Sequence, residues 1–303
     1  MFFGIKRKIQ YVKFDRALAG VLNTPPIVVT EGACTIVSMV GPNHVTMFLV
    51  SMKAFYRRVG GGRVVAILAR DTPRASIDLL NIHLPGIELL IRENIDVGTC
   101  QRGGTWERLL HILDRTDRGE YVVQIDADVM TVTPEIEEVT SCIRSGTAFT
   151  MADDAAIVSM NAAAVHARSA SGNYIGEVSE RLFDSYPGHE TLRYIRGSSG
   201  LAGFAPHGFS RARMEEFHGE MEKLVGHDRW REWGTEQCAS NFAVANTDGA
   251  INLPYPAYTS FHPGCAREGV KMYHFIGTFR FDHGVFIDLA RKEIAALKAG
   301  AAG

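Results

Sequence analysis

Cysteine is scarce and unpatterned in this chain of 303 residues: five in all, at positions 34, 100, 142, 238 and 265, and no Cys-x-x-Cys pair. An odd, scattered set makes neither a disulfide framework nor a zinc site, and fits free thiols in a reducing compartment. Long apolar runs are also lacking, so no stretch has the length of a membrane span. The start, Met-Phe-Phe-Gly, turns basic without the apolar core of a signal peptide. Cytoplasm is the expected location. An excess of one charge is missing too: the net charge is −2, whereas nucleic-acid binders usually carry a basic face. What is present, 46% hydrophobic and 22% charged residues, can build a sizeable core in one large α/β domain or two small ones.

Residues 1–16 set Lys6, Arg7, Lys8, Lys13 and Arg16 against Asp15, interleaved with Phe2, Phe3, Ile5, Ile9, Tyr11, Val12 and Phe14. Such a start is either an arm packed on the domain, the reading we favour, or a peripheral contact with an anionic membrane at its inner face. Thr24-Pro25-Pro26 breaks the chain, which gives an arm over 1–30, a main domain over 31–283 and a C-terminal helix and tail over 284–303. Strand patterns at 33–40, 63–68 and 86–91 alternate with helical spacing at 44–58, 74–80 and 106–113. That alternation predicts an α/β fold with a mainly parallel central sheet and helices on both faces. There is no internal repeat, and residues 155–195 carry no clear period.

The stretch with the most chemistry is Tyr121-Val-Val-Gln-Ile-Asp126-Ala-Asp128. It reads as a buried strand that ends in two carboxylates one residue apart. In open α/β sheets ligands sit at the carboxyl ends of the strands. Two anions so close repel unless they share a cation, and hard oxygen ligands suit Mg²⁺ or Mn²⁺. Solvated turns produce the same short pattern, so the partners further along matter. A strand at 147–152 also closes on carboxylates, Asp153 and Asp154, which either cap a helix or turn or meet a ligand. Ser198-Ser199-Gly200 opens a run of small residues suited to close approach of a ligand, or to a plain turn. Met214–Leu224 is amphipathic, and Thr235 is a candidate N-cap for a helix carrying Glu236 and Gln237. His274 stands at the end of a strand pattern and is followed by Gly277 and Arg280. The last helix covers 285–298.

In this order the motifs resemble those of the GT-A glycosyltransferases, in particular the glycogenin-like and bacterial lipopolysaccharide galactosyltransferase branch. The family's Asp-X-Asp matches Asp126-Ala-Asp128, and its His-x-x-Gly-x-x-Lys matches His274-Phe-Ile-Gly277-Thr-Phe-Arg280. Its Asn-Ser-Gly turn matches Ser198-Ser199-Gly200, and its Asp-Gln-x-x-x-Asn helix matches Glu236-Gln237-Cys-Ala-Ser-Asn241. The resemblance runs from about residue 33 to 282. Departures are Ser198 for Asn, Glu236 for Asp, Arg280 for Lys, and Phe281-Asp282 where the family has Pro-Trp.

The resemblance implies a single Rossmann-like GT-A domain and transfer of a sugar from a nucleotide-sugar to a glycan or lipid-linked acceptor. UDP-sugar as donor, retention of configuration, and a place in surface-polysaccharide assembly rest on the resemblance alone. Asp126, Asp128 and His274 would bind Mn²⁺ or Mg²⁺. Arg280, the Gly277 amide, Ser199, Gly200 and, from a Gly-rich loop, Arg102 would hold the donor. Asp153 or Asp154 would meet donor-sugar hydroxyls, and Glu236 or Gln237 would stand near the anomeric carbon. Nucleobase contacts are expected from 38–43. One rival is a nucleotide- or carbohydrate-binding protein without activity. A second is a haloacid dehalogenase-type phosphatase, whose nucleophilic Asp opens its fold, whereas some 90 residues of alternating elements come first here. A third, a sugar nucleotidyltransferase, would want a basic loop after the first strand, and Gly41-Pro-Asn-His44 has no Arg or Lys.

Overall fold

Strands form at 33–40, 63–68, 86–91, 121–125 and 147–152, where the sequence predicts them, and further short ones form where it gives no period. In chain order they are β1 (Thr35–Val40), β2 (Arg63–Leu68), β3 (Glu88–Ile91), β4 (Val122–Ile125), β5 (Val129–Thr131), β6 (Phe149–Met151), β7 (Val158–Ser159), β8 (Arg193–Tyr194), β9 (Ser198–Phe204), β10 (Ile251–Asn252), β11 (Tyr258–Ser260) and β12 (Met272–His274). This computed structural model describes residues 2–281 and 283–300, with side chains from Gln10 onward. The side chains of residues 2–9, on which the membrane-surface reading leans, therefore lie outside the described residues, as do Asp282 and the tail at 301–303.

Seven of the strands form a mainly parallel central sheet. Two compact units share the chain: residues 1–93, 126–137 and 256–303 in the first, and 94–125 and 138–255 in the second. The first unit has β1, β2 and β3 as parallel neighbours, with Thr35 opposite Arg63 and Val65 opposite Glu88. All but one of the residues of β1 and β2 are apolar or small, the pattern of strands covered on both faces. The second unit has the order β10-β6-β9-β4, in which β9 runs antiparallel to both neighbours.

The helix Val45–Val59 buries its residues from Val45 to Tyr56 without a break. It stops at Gly60, whose φ of 81° is the left-handed conformation that a helix end favours and that only glycine adopts cheaply. The N-terminal arm is the helix Phe2–Leu18. Its Phe14 is buried and meets Phe281 and Phe286 edge-on or tilted at about 5 Å, so this end of the arm is packed against the C-terminal segment. The last helix, Val285–Ala299, is tied to Val45–Val59 by Glu293, which lies between Arg57 (3.2 Å) and Arg58 (2.9 Å).

Within the second unit, Phe217 stacks on Phe242 with centroids 4.0 Å apart, and Trp106 and Trp230 are fully buried. The residues without a clear period resolve into β7, β8 and the short helices Met160–Arg168 and Ile175–Glu180. Ser198–Gly200 are not a turn: they are the first residues of β9. Thr235 is the first residue of the helix Thr235–Ala245 rather than its cap, and Gly234 takes the cap position at φ 113°. The Thr235 hydroxyl is instead held by Trp106 Nε1 (3.0 Å) and Gln101 Nε2 (2.7 Å), which leaves it no role at the helix N-terminus. Among the described residues no helix is long and apolar enough to cross a membrane, and all five cysteines are free and buried.

Candidate metal centre

β4 stops at Ile125 because the chain turns there. The amide of Val129 donates to the Asp126 carbonyl at 3.1 Å, closing a tight turn that carries Ala127 and Asp128 at its centre before β5 begins. The Ser51 hydroxyl, on the helix Val45–Val59, donates to the carbonyl of Val129 and holds that turn down. β12 then pairs antiparallel with β5, placing His274 opposite Val129, and the Phe275 amide donates to the Asp128 carbonyl at 3.0 Å. A hydrogen-bonded ladder thus carries a residue near the end of the chain to two residues near its middle.

The result is a cluster. His274 Nε2 lies 3.6 Å from an Asp126 oxygen and 3.4 Å from an Asp128 oxygen. One ligand atom from each of the three lies within 4.8 Å of the other two. Arg280 joins from the short helical turn Gly277–Phe281, with a guanidinium nitrogen 2.8 Å from the second Asp128 oxygen. Its Nε donates to the Gly277 carbonyl at 2.7 Å, which fixes the direction of the side chain. Asp128 and His274 are nearly buried, while Asp126 is the more open of the three.

Electrostatics favour the charged forms of Asp128 and His274. Burial pushes the Asp128 carboxyl up, but its hydrogen bond to His274 and the charges of His274 and Arg280 outweigh that and hold it below the ordinary value. Burial likewise works against protonation of His274, yet the hydrogen bond to Asp128 and the charges of Asp128 and Asp126 lift it above the ordinary imidazole value. Two carboxylates and an imidazole form an O,O,N donor set that fits Mn²⁺ or Mg²⁺.

The other sequence candidates fall in the second unit, apart from Gly277, exposed at φ 58°, and residues 38–43 at the end of β1 and in the turn after it, both in the first. Arg102 is exposed in a loop whose Gly103, Gly104 and Thr105 all have positive φ. Asp153 is half-buried in a turn at φ 45°, and Asp154 beside it is exposed. Ser199 and Gly200 are buried in β9, where the Ser199 carbonyl accepts from Gln124. Glu236 is 2% exposed, paired with Arg108 at 3.4 Å and accepting from the Thr105 hydroxyl at 2.7 Å. Gln237 is half-buried and lines a small cavity of about 100 Å³ with Tyr174, Glu180 and Arg196. Sequence reasoning missed Arg108 as the partner of Glu236 and Arg196 as the partner of Glu180. Each pair joins residues distant in the chain or separated by a loop, and no local pattern marks it.

No protein-family model matches the sequence, and neither does any curated protein. Solved structures do resemble the fold. One is WbbM, a bifunctional glycosyltransferase in its apo form: 15% identity, TM-score 0.53, 88% of this chain and 50% of that one. This chain thus spans half the length of WbbM. Others are an active-site mutant of the galactosyltransferase LgtC (10%, TM-score 0.47, 86% and 95%) and mouse xyloside xylosyltransferase 1 (10%, TM-score 0.45, 84% and 99%). The weaker two add no argument, and at such identity the first speaks to architecture only. On that ground the chain has the GT-A fold, α/β with a mainly parallel central sheet.

Proposed function

We propose that this chain is a metal-dependent glycosyltransferase acting on a nucleoside-diphosphate sugar, with UDP-sugar the favoured donor and a glycan or lipid-linked molecule the acceptor. The observation that carries the reading is the convergence of Asp126, Asp128 and His274 with Arg280 beside them. WbbM, which shares the fold, is described as a glycosyltransferase, and that supports the reading. A divalent cation, when bound, offsets the negative charge that builds on a leaving diphosphate.

The residues of this chain have separable tasks. Asp126 and Asp128 present carboxylate oxygens, and His274 presents Nε2 once its proton has left. Arg280 offers a planar guanidinium whose remaining donors can take phosphate oxygens. Gly277, with its backbone bare of a side chain, lets the same phosphate approach. Arg102, Ser199 and Gly200 are proposed as further donor contacts, and Asp153 and Asp154 as partners of the sugar hydroxyls. Of Glu236 and Gln237, Gln237 is the better placed to meet substrate, because Glu236 must first leave Arg108. A retaining outcome, with the departing diphosphate taking the acceptor proton, is part of the same proposal.

The locked Glu236 also favours a second reading, a binding protein without turnover. A panel of UDP- and GDP-sugars, with and without Mn²⁺ and read by nucleotide release, decides between them. The expected result is release that requires both a UDP-sugar and the metal. Tight UDP binding with Mn²⁺ and no release across donors and acceptors would favour the binding protein.

A further inference from the structure

Of the three tryptophans, Trp106 and Trp230 are fully buried, whereas Trp233 is 70% exposed. Single exposed apolar side chains are ordinary on a protein surface. Trp233 is not single. Over the next residue, Gly234, lies the hydroxyl of Tyr174, close enough that a Cβ on Gly234 would collide with it. Tyr174 is itself 42% exposed. Gly234 and Tyr174 both line the cavity of about 100 Å³ in the second unit, which also has Gln237 in its wall. Trp233 stands one residue outside that lining. Two aromatic rings are thus open to solvent beside one hollow.

The hollow is polar, and its hydrogen bonds are unevenly used. Glu180 is well supplied: Arg196 Nε donates to its two oxygens at 3.0 and 2.8 Å, and the Tyr194 hydroxyl donates at 3.0 Å. Glu177 is not. Its Oε2 is buried and accepts no hydrogen bond, with Arg181 3.6 Å away, and its Oε1 is 3.8 Å from Arg196 Nη1. Burial pushes the Tyr174 hydroxyl up to about 12, so it stays a neutral donor. The lining therefore brings together a carboxylate, a phenol, a guanidinium and the amide of Gln237. Two carboxylates against one guanidinium disfavour a phosphate and suit a neutral polyol. At about 100 Å³ the hollow is smaller than a pocket for a whole ligand, which takes roughly 300 to 1,000 Å³. It has room for the hydroxyls along one edge of a sugar, so the sugar ring has to lie outside, where the aromatic rings are. The face of a pyranose is lined with C–H bonds, and the negative face of an aromatic ring attracts them.

We propose that Tyr174 and Trp233 form a platform for a glycan acceptor of two or more sugars, one over the hollow with hydroxyls reaching Glu177 and Gln237, the next stacked on Trp233. The inference rests on the reading of Gln237 as a substrate contact and goes beyond it, since Tyr174, Glu177 and Trp233 lie in none of the motifs that suggested the reaction. It makes Trp233 a specificity-determining residue for acceptor length. It also narrows the acceptor to a glycan chain, because a lipid with no such chain has nothing to lay on the platform.

The test uses the wild-type chain with Mn²⁺ and either UDP or GDP present. Acrylamide quenching of tryptophan emission reads Trp233, because the other two tryptophans are fully buried. It is measured with and without gluco-, galacto- and manno-oligosaccharides of one to four sugars. At least one oligosaccharide should lower the quenching about twofold or more while its monosaccharide does not, as expected for a ring laid on the indole face. Calorimetry with that oligosaccharide should show binding weakened about fivefold or more in Trp233→Ala and in Glu177→Gln, the scale of one lost ring or hydrogen-bond contact. Trp233→Ala removes an exposed side chain; if Glu177→Gln misfolds, Trp233→Ala alone decides. Unchanged quenching with every sugar, equal protection by the monosaccharide, or wild-type affinity in both variants overturns the inference. Nucleotide release from UDP- and GDP-sugars, run alongside, separates the two failures. Release without any protection of Trp233 sinks the platform and leaves the proposed function standing; neither release nor protection removes both.

Discussion

Asp128 has to remain a carboxylate where burial alone would protonate it, and His274 has to keep a proton where burial alone would remove it. Each is held by the other. A histidine raised in the folded state stabilises the fold below its ordinary value and loses that contribution as pH rises through the raised one; a lowered carboxylate does the reverse on the acid side. Without metal the pair therefore stabilises most between those limits. A cation must displace the His274 proton, so Mn²⁺ affinity should climb as pH rises through the raised His274 value, with proton release on binding. Calorimetry in buffers of different ionisation enthalpy counts those protons, and His274→Ala should abolish the slope together with most of the affinity. Asp128→Ala should lower metal-dependent turnover by about a hundredfold or more. Its circular dichroism should stay that of the wild type; full activity would take Asp128 out of the metal shell.

At the scale of elements, the site depends on a turn and a ladder. The carboxylates at the end of a buried strand were legible in sequence because Tyr121–Ile125 is apolar or aromatic at four of five positions. The ladder between β5 and β12 was not, since the paired residues lie far apart in the chain and meet through backbone atoms that any side chain permits. Thr235 shows how a local rule fails: its hydroxyl finds Trp106 and Gln101 before it finds the helix end. Ser198–Gly200 entered a strand because small residues suit β9, where a Cβ on Gly203 would collide with the Phe149 ring. The C-terminal helix, legible from its period, is pinned by a contact that was not. Glu293 is 6% exposed between Arg57 and Arg58, so Glu293→Ala leaves a half-buried Arg58 without a carboxylate, held only by the Thr133 and Ala54 carbonyls. It should cost about 3 kcal/mol in urea unfolding; a loss under about 0.5 kcal/mol would make the pair a surface contact.

Across the whole molecule, a buried cation stands apart from the candidate site. Lys53 is fully buried, and its ammonium donates to Thr24 Oγ1 (2.9 Å) and the Pro25 carbonyl (2.7 Å), with His83 at 3.2 Å. Burial lowers it to about 8. Between that value and the ordinary lysine value the unfolded chain binds the extra proton, so this lysine makes the fold more stable as pH rises. Buried thiols and tyrosines pull the other way, since Cys34, Cys100, Tyr174 and Tyr186 are all pushed up to about 12. The Lys53 contribution is therefore read as a difference. The melting temperature of Lys53→Met relative to the wild type should fall steadily from about pH 8 to about pH 10; a constant difference would return Lys53 to an ordinary value.

Composition, period and the Asp-X-Asp spacing determined by themselves that this is an α/β protein with a carboxylate pair at a strand's end, because those signals are carried by neighbours in the chain. Tertiary structure decided which distant residues join that pair. His274 arrives by strand pairing, and Arg280 by the turn that follows it. Contacts of that kind are set by backbone ladders and buried surface, which leave no local mark in the order of residues.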